Sequence, residues 1–517
     1  MKKIMFNEDW THFLYNRIAR NIAITREEIE NFIYQYKDTQ ITDFSMNVNA
    51  QIASFPSKVM ENFLDKYYAV EEEGVPVDYK DNDICRSMHI IYEKLGIDLY
   101  SCWINALRKI NIRPWISVRM NDCHHNWQIH HVMISEKSRT RKDWYRVKHR
   151  QPPVGMQRAN EDFYYWDKCF DYANPEVRNY MLDFISEVLE RYDIDGLELD
   201  FTRELPSFAI GYEAAGREIM TNFVSSVKEM VDRIGKKRNK KIYLQTMIGA
   251  DPETVYDWGY DFFAWARKGL IDSLVAIPRW ETVYTELPVR FWKELLSPYK
   301  VEFAAGNQIL TCDYPGGKES SSTLETALGT ACAYRSQGAD FTYLYNFMDY
   351  SGYEFGEKWF RDEKRNETVI RPHNLSQMLK SSGEISTMLN KRRRHLVSFN
   401  DFPNLWNKPV SRLPFECNDT NVYQIIRVMV GEVPVDSNIK LMFGIRSSDL
   451  LEDSNFTVFV NTVKCRLSDV FCVDEESGLT AYTFDVPDGI VIKDYIVAEI
   501  KNNNAPFTVE HIEADIE

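Results

Sequence analysis

The sequence lacks any uninterrupted apolar run of 18 residues, any CxxC pair, any HxH or HExxH arrangement, and any internal repeat or low-complexity tract. The first absence excludes a membrane-spanning helix. The second, with nine scattered cysteines, an odd number, argues for reduced thiols and against a disulfide framework. The third leaves His124, His125, His130 and His131 without a zinc-ligand spacing, so no metal and no cofactor are expected. Positive charge is also short: 62 Lys and Arg stand against 77 Asp and Glu, a net −15. That balance excludes a general nucleic-acid or acidic-membrane surface and requires any bound anion to be met by a local basic site. The basic run Lys391-Arg392-Arg393-Arg394 therefore reads as solvated or domain-bridging. The first residues, Met1 to Asp9, turn acidic before a hydrophobic signal core could form. The expectation is a soluble cytoplasmic protein, or a secreted or periplasmic one if a leader has been removed.

What is present is a 44% hydrophobic, 27% charged chain of 517 residues, rich in aromatics with 29 Tyr, 29 Phe and 12 Trp. That length exceeds one ordinary core and suits a large barrel plus a smaller domain. Strand patterns fall at Lys3–Phe6, Ile41–Ile52, Arg113–Asn121, the stretch Asp193–Glu204, Lys241–Met247, Ser273–Pro278, Val301–Ala305 and Phe341–Tyr345. Helical patterns separate them, including Asn82–Ile110, a helix opened by Asn174-Pro175, and Ala209–Lys237. Eight such alternations predict an α/β chain whose residues 1–393 form a (β/α)8 TIM barrel, with a long insertion at about 122–174 after the third strand. After about Arg394 the helical period vanishes and short alternating runs separated by Asp, Asn, Gly and Pro take over. Residues 394–517 are thus predicted to be an all-β, sandwich-like domain.

The fourth strand signal organises the rest. In Asp195-Gly196-Leu197-Glu198-Leu199-Asp200-Phe201-Thr202, apolar and polar residues alternate, so two carboxylates share one face. The interior of a barrel near the carboxyl ends of its strands accounts for them; a polar edge strand is the alternative. The other strand ends supply Asn7, Glu8, Asp9, Asn47, Asn49, Arg119, Asn121, Asp122, His124, Arg203, Glu204, Gln245, Arg279, Glu281, Asn307, Asn346 and Asp349. A ring of carboxylates and amides suits a carbohydrate, whose hydroxyls donate and accept. Glycoside hydrolysis needs an acid at the leaving oxygen and a base or nucleophile on the other face of the ring. Arg119, Arg203 and Arg279 at three strand ends suit the carboxylate of an anionic sugar, or else hold Asp122, Asp200 or Glu204 as scaffolding. A neutral His124 oriented by a carboxylate could take a proton from water. Cys123 beside it is not read as a nucleophile, because adjacent strand-end residues point in different directions.

The Asp195-to-Thr202 stretch resembles the DGxDxDxE signature of family 18 chitinases, with Thr202 where that family has its catalytic Glu, a departure that argues against chitinase activity. The overall plan is similar to glycoside hydrolase family 156, the inverting exo-sialidases. The resemblance rests on the polar group around Asp9, the Arg119-to-His124 segment, Arg203 after strand four and Asn346 after strand eight. It implies Asp9 and His124 as the catalytic pair, with Asp9 an acid or the group that orients His124. It also implies Arg119, Arg203 and Asn346 as contacts to sialic acid, no metal and a homodimer. Asn7, Asp200 and Arg279 complete the expected substrate contacts.

Three readings follow. The first is an exo-acting sialidase on a sialoglycan or other acidic carbohydrate. The second is a retaining glycosidase of uronic or neutral sugars using a carboxylate pair among Asp9, Asp122, Asp200 and Glu204. The third is a catalytically silent carbohydrate-binding barrel.

Overall fold

The computed structural model describes residues 2–19, 21–69, 82–124, 131–149, 163–278, 283–311, 320–347, 375–398, 412–474, 478–490 and 492–517. Eight parallel strands close into a barrel in chain order: β1 (Ile4–Asp9), β2 (Ile41–Asn47), β3 (Arg113–Arg119), β4 (Gly196–Asp200), β5 (Tyr243–Gly249), β6 (Ser273–Ile277), β7 (Glu302–Gln308) and β8 (Thr342–Tyr345), the last pairing back onto the first. A closed sheet has no edge, so β4 is not the polar edge strand of the alternative reading. Its Leu197, Leu199 and Phe201 pack outward into the core beneath the helices, while Glu198 and Asp200 turn into the lumen.

The lumen is filled from below. Met5, Trp115, Met247, Val275, Ile277, Ala304, Phe341, Tyr343 and Tyr345 form an apolar cluster of their own inside the barrel. Gly196 is opposite Trp115, and a Cβ there would lie 2.1 Å from the indole, so only glycine leaves room for the ring. The indole Nε1 donates to Asp43 at 2.7 Å, and Arg113 pairs with the same carboxylate at 2.8 Å. Lys2 seals this end, donating to Ser273 Oγ at 2.9 Å and packing over Trp115 and Phe341. With the amino-terminal end closed, Asn7, Asp9, Asn47, Arg119 and Asp200 lie toward the carboxyl end.

Several boundaries differ from the sequence pattern for identifiable reasons. Strand β2 stops at Asn47, short of Ile52. Beyond it the Asn49 side chain both accepts from the Arg119 N–H and donates to its carbonyl, each at 3.0 Å, in place of ladder bonds. Strand β7 runs on to Gln308, past the expected Ala305. The helical stretch from Asn82 breaks into Asp83–His89, a π turn at Ile90–Lys94 and Leu99–Lys109, interrupted by Gly96 at φ 60°. The helix expected from Ala209 begins at Glu213, after Gly211 at φ 85°. The described parts of the insertion after β3 pack on the loop after β4: Trp166 Nε1 donates to Glu204 at 2.6 Å and Arg146 Nε to the Phe208 carbonyl at 2.9 Å.

After the barrel the described residues form ten strands: β9 (Arg393–Leu396), β10 (Phe415–Cys417), β11 (Gln424–Met429), β12 (Ile439–Arg446), β13 (Phe456–Val460), β14 (Val463–Lys464), β15 (Arg466–Asp474), β16 (Leu479–Asp485), β17 (Tyr495–Asn502) and β18 (Phe507–Ile516). They form two sheets, β9-β18-β12-β16-β15 with β10 on β18, and β11-β17-β13-β14. Their inner faces share one core that includes Leu441, Phe443, Val458, Phe484, Ile496 and Ile512. The basic run sits where this region meets the barrel. Arg392 pairs with Asp515, Arg394 with Glu513, and Arg393 donates to the Glu432 carbonyl at 3.1 Å. The helix Leu324–Ser336 lies against β9 so closely that a Cβ on Gly329 would meet the Arg394 carbonyl oxygen at 2.1 Å. Among the described residues no helix is long and apolar enough to cross a membrane.

Candidate active site

Strand parity turns Asn7 and Asp9 of β1, Asn47 of β2, Arg119 of β3 and Asp200 of β4 into the lumen, all toward its carboxyl end. Asp9 Oδ2 accepts from Arg119 Nη2 at 2.7 Å. Just beyond β3 the chain folds so that Asp122 accepts from both the backbone N–H and Nδ1 of His124, each at 2.8 Å. Asp122 also lies 3.6 Å from Arg119 Nη1 and 3.9 Å from Arg203 Nε. Gln51 fixes the far side of this turn by donating to the His124 carbonyl at 2.7 Å. After β4, Asp200 Oδ1 accepts from the Thr202 N–H and hydroxyl at 2.8 Å and from the Arg203 N–H at 3.1 Å. That cap aims the Arg203 guanidinium at His124 Nε2.

The partners fix the histidine tautomer. A guanidinium can only donate, so Nε2 faces Arg203 with its lone pair and the proton sits on Nδ1, shared with Asp122. Burial and then Arg203 push the His124 pKa down to about 4, against the pull of Asp122. The ring is therefore neutral at pH 7. Burial would raise Asp122, but His124, Arg119 and Arg203 together hold it well below the usual carboxylate range. Burial opposes the charge on Arg119, and Asp9, Tyr345, Asp122 and Asp200 more than restore it. Deeper on β4, Glu198 accepts from Tyr343 at 2.9 Å, Ser45 at 3.2 Å and Gln245 at 2.5 Å. Burial and then the neighbouring Asp200 push its pKa up to about 7.

No family model matches this chain, and no curated protein matches its sequence. Solved structures similar to it include an α-amylase from Geobacillus thermoleovorans, with 13% identity over 97% of this chain and 99% of that one, at a TM-score of 0.35. The PgaB (BpsB) glycoside hydrolase domain from Bordetella bronchiseptica matches at 10% identity over 74% and 99%, with a TM-score of 0.43. A cycloisomaltooligosaccharide glucanotransferase from Paenibacillus sp. matches at 10% over 99% of this chain and a TM-score of 0.33. The chain spans only 57% of that protein's length. Likeness at this level leaves the chemistry to be read from the site's own atoms.

Of the residues expected from the sequence, Asp9, Arg119, His124, Asp200 and Arg203 come together at the mouth. Asn7 lies one inward step below Asp9 on β1. Asn346 follows β8, buried, in a left-handed conformation at φ 60° that asparagine tolerates. Arg279, Glu281, Asp349, His125 and His130 lie outside the described residues. It is Asp122 that bonds His124 Nδ1, while Asp9 bonds Arg119. Two strand-end residues point the other way: Glu8 turns outward to His12 at 2.7 Å and Tyr36 at 2.9 Å, and Asn307 donates outward to the Ala327 carbonyl at 3.0 Å. Asn121 is occupied with the Phe170 and Pro206 carbonyls. Cys123 turns away from His124, its Sγ 3.3 Å from that of Cys169, and burial raises its thiol well above the ordinary value. Among the described residues, no three His, Cys, Asp or Glu side chains gather as a metal site. Glu198 lies in the lumen beside Asp200, as the alternation of β4 implied, whereas Gln308 was missed as a site candidate; strand parity counted from Ala304 was the signal that could have found it.

Proposed function

We propose that this protein is a glycoside hydrolase that releases a terminal acidic sugar, sialic acid, with inversion. The observation that carries the reading is the convergence of two buried guanidiniums, Arg119 and Arg203, on Asp122, which holds a neutral His124 against Arg203 in the barrel mouth. A sugar carboxylate competes for Arg203 with the His124 lone pair, because a charged acceptor attracts a guanidinium more strongly than a neutral one. Binding then draws Arg203 off Nε2 and frees that nitrogen to accept a proton from the attacking water. The nascent imidazolium is stabilised by Asp122, as a buried carboxylate stabilises any histidine base. Asp9, held against Arg119 by one oxygen, keeps Oδ1 without a partner among the described residues; once Oδ1 has taken a proton from solvent, it serves as the acid toward the leaving oxygen. The family 156 resemblance points to the same residues.

The test is release of free sialic acid from sialyl-lactose by the native protein, Asp9→Asn, His124→Ala and Arg203→Ala, with the first-formed anomer followed by NMR. Loss of turnover in all three folded variants and an inverted anomer support the reading; an inactive native protein overturns it. Glu198, with a pKa near 7 beside Asp200, favours the carboxylate-pair glycosidase of uronic or neutral sugars as the second reading. Turnover of a glucuronide or neutral glycoside, abolished by Glu198→Gln, would support that one instead.

A further inference from the structure

The arc of the lumen between Arg119 and β7 contains two amides that the fold leaves unused. Asn47 on β2 is 2% exposed and Gln308 on β7 is 1% exposed, yet neither the oxygen nor the nitrogen of either amide has a hydrogen-bond partner among the described residues. Both point into the lumen. Met46 and Val48 on either side of Asn47 belong to the outer core, and Gln308 shares the parity of Ala304, which belongs to the inner cluster. In the strand register Asn47 is opposite Asp9 and Gln308 opposite Tyr345. The phenol of Tyr345 feels Asp200, Arg119, Arg203 and Asp9, so the register ties both amides to the charged cluster at the mouth.

Buried polar groups are almost always paired, because leaving a donor or acceptor dry forfeits its hydration without return. Both atoms of two amides left so on the lumen face of one barrel mark groups kept for something other than the fold. Each amide offers one acceptor and a two-hydrogen donor, the complement of a hydroxyl or of another amide. We propose that Asn47 and Gln308 are binding groups of the barrel mouth that read the hydroxyl or acylamino substituents of a polyhydroxylated ligand. Arg119 and Arg203 then meet its charge, while the amides meet its uncharged periphery. The proposal rests on a sugar entering the mouth but not on which sugar it is.

A binding role separates from a structural one by the direction of two effects. Replacing an amide that bonds only ligand with an apolar side chain leaves the empty protein as stable or makes it more stable, and weakens the ligand. The experiment uses the full chain with Asn47→Leu, Gln308→Leu and, against failure of the larger side chain to fit, Asn47→Ala. Thermal midpoints are read alone and with N-acetylneuraminic acid, glucuronic acid, N-acetylglucosamine or glucose. The expected result is an unchanged or higher midpoint without sugar, and an affinity about tenfold weaker for whichever sugar stabilises the native protein. Stabilisation of the native protein by another sugar but not by N-acetylneuraminic acid would defeat the sialidase reading and leave this one standing. Midpoints lowered by several degrees in every variant, undiminished sugar binding in the variants, or a native protein moved by none of the four sugars would overturn it.

Discussion

In the proposed mechanism His124 is the side chain on which the site turns, because its protonation state decides whether it can accept a proton. With its pKa pushed down to about 4, the ring stays neutral through mildly acidic solution, where an ordinary histidine near 6.5 would be charged. NMR titration of the imidazole should therefore give a midpoint near 4, moving up toward 6.5 in Arg203→Ala as a cationic neighbour is removed. A midpoint already near 6.5 in the native protein would contradict the burial of the ring and the Arg203 contact together. Glu198 titrates in the opposite sense. Its folded value near 7 exceeds the ordinary 4.5, so between those values the folded chain holds a proton that the unfolded chain has released. Stability should fall as pH rises across that window, by on the order of 3 kcal/mol at about 1.4 kcal/mol per pH unit. Denaturant unfolding at pH 5 and pH 8 should show the loss in the native protein and a flatter profile in Glu198→Gln. At this scale the sequence was only half legible. Arg119, His124, Asp200 and Arg203 follow from strand ends and charge, whereas Glu8 and Asn307 face outward, because shifting a strand's phase by one residue exchanges its faces.

Single strands and helices state their constraints most clearly where glycine is required. Gly196 on β4 lies under the Trp115 ring, whose indole is tied to Asp43, so the ring cannot swing aside. Gly196→Ala should destabilise the barrel by about 1–3 kcal/mol, the usual range for overpacking a filled interior, and a thermal melt within a degree of the native one would refute the packing argument. Elements were legible where their period was unbroken and their caps explicit. Asn174 caps the helix at Pro175, as its spacing implied. Ends set by tertiary contacts were not. The stop of β2 at Asn47 depends on a side chain bonding Arg119's backbone, and the reach of β7 to Gln308 on its neighbours in the closed sheet. The end of β7 matters most, since it brings into the lumen an amide that the local pattern had left in a loop.

For the whole molecule, eight alternations of strand and helix were enough to imply a closed barrel, and the loss of helical period near Arg394 enough to imply the β sheets that follow. A local pattern could not show how the long insertion after β3 would fold back, since its contact from Trp166 to Glu204 joins segments far apart in sequence. Net charge acts at this scale too. At −15 the protein would repel the anionic substrate proposed for it until the local arginines took over, so kcat/KM for a sialoside should rise as salt screens the approach. A steady-state series in increasing NaCl, with a neutral glycoside as control, would expose the opposite trend if the arginine cluster steered the substrate from a distance. The most direct measurement remains release of sialic acid from sialyl-lactose by the native protein beside Arg203→Ala. Turnover by the native protein is expected, and its loss, in a folded variant, when that guanidinium is removed. Native protein that releases no sialic acid, or an Arg203→Ala variant that releases it undiminished, would contradict the anionic-sugar site.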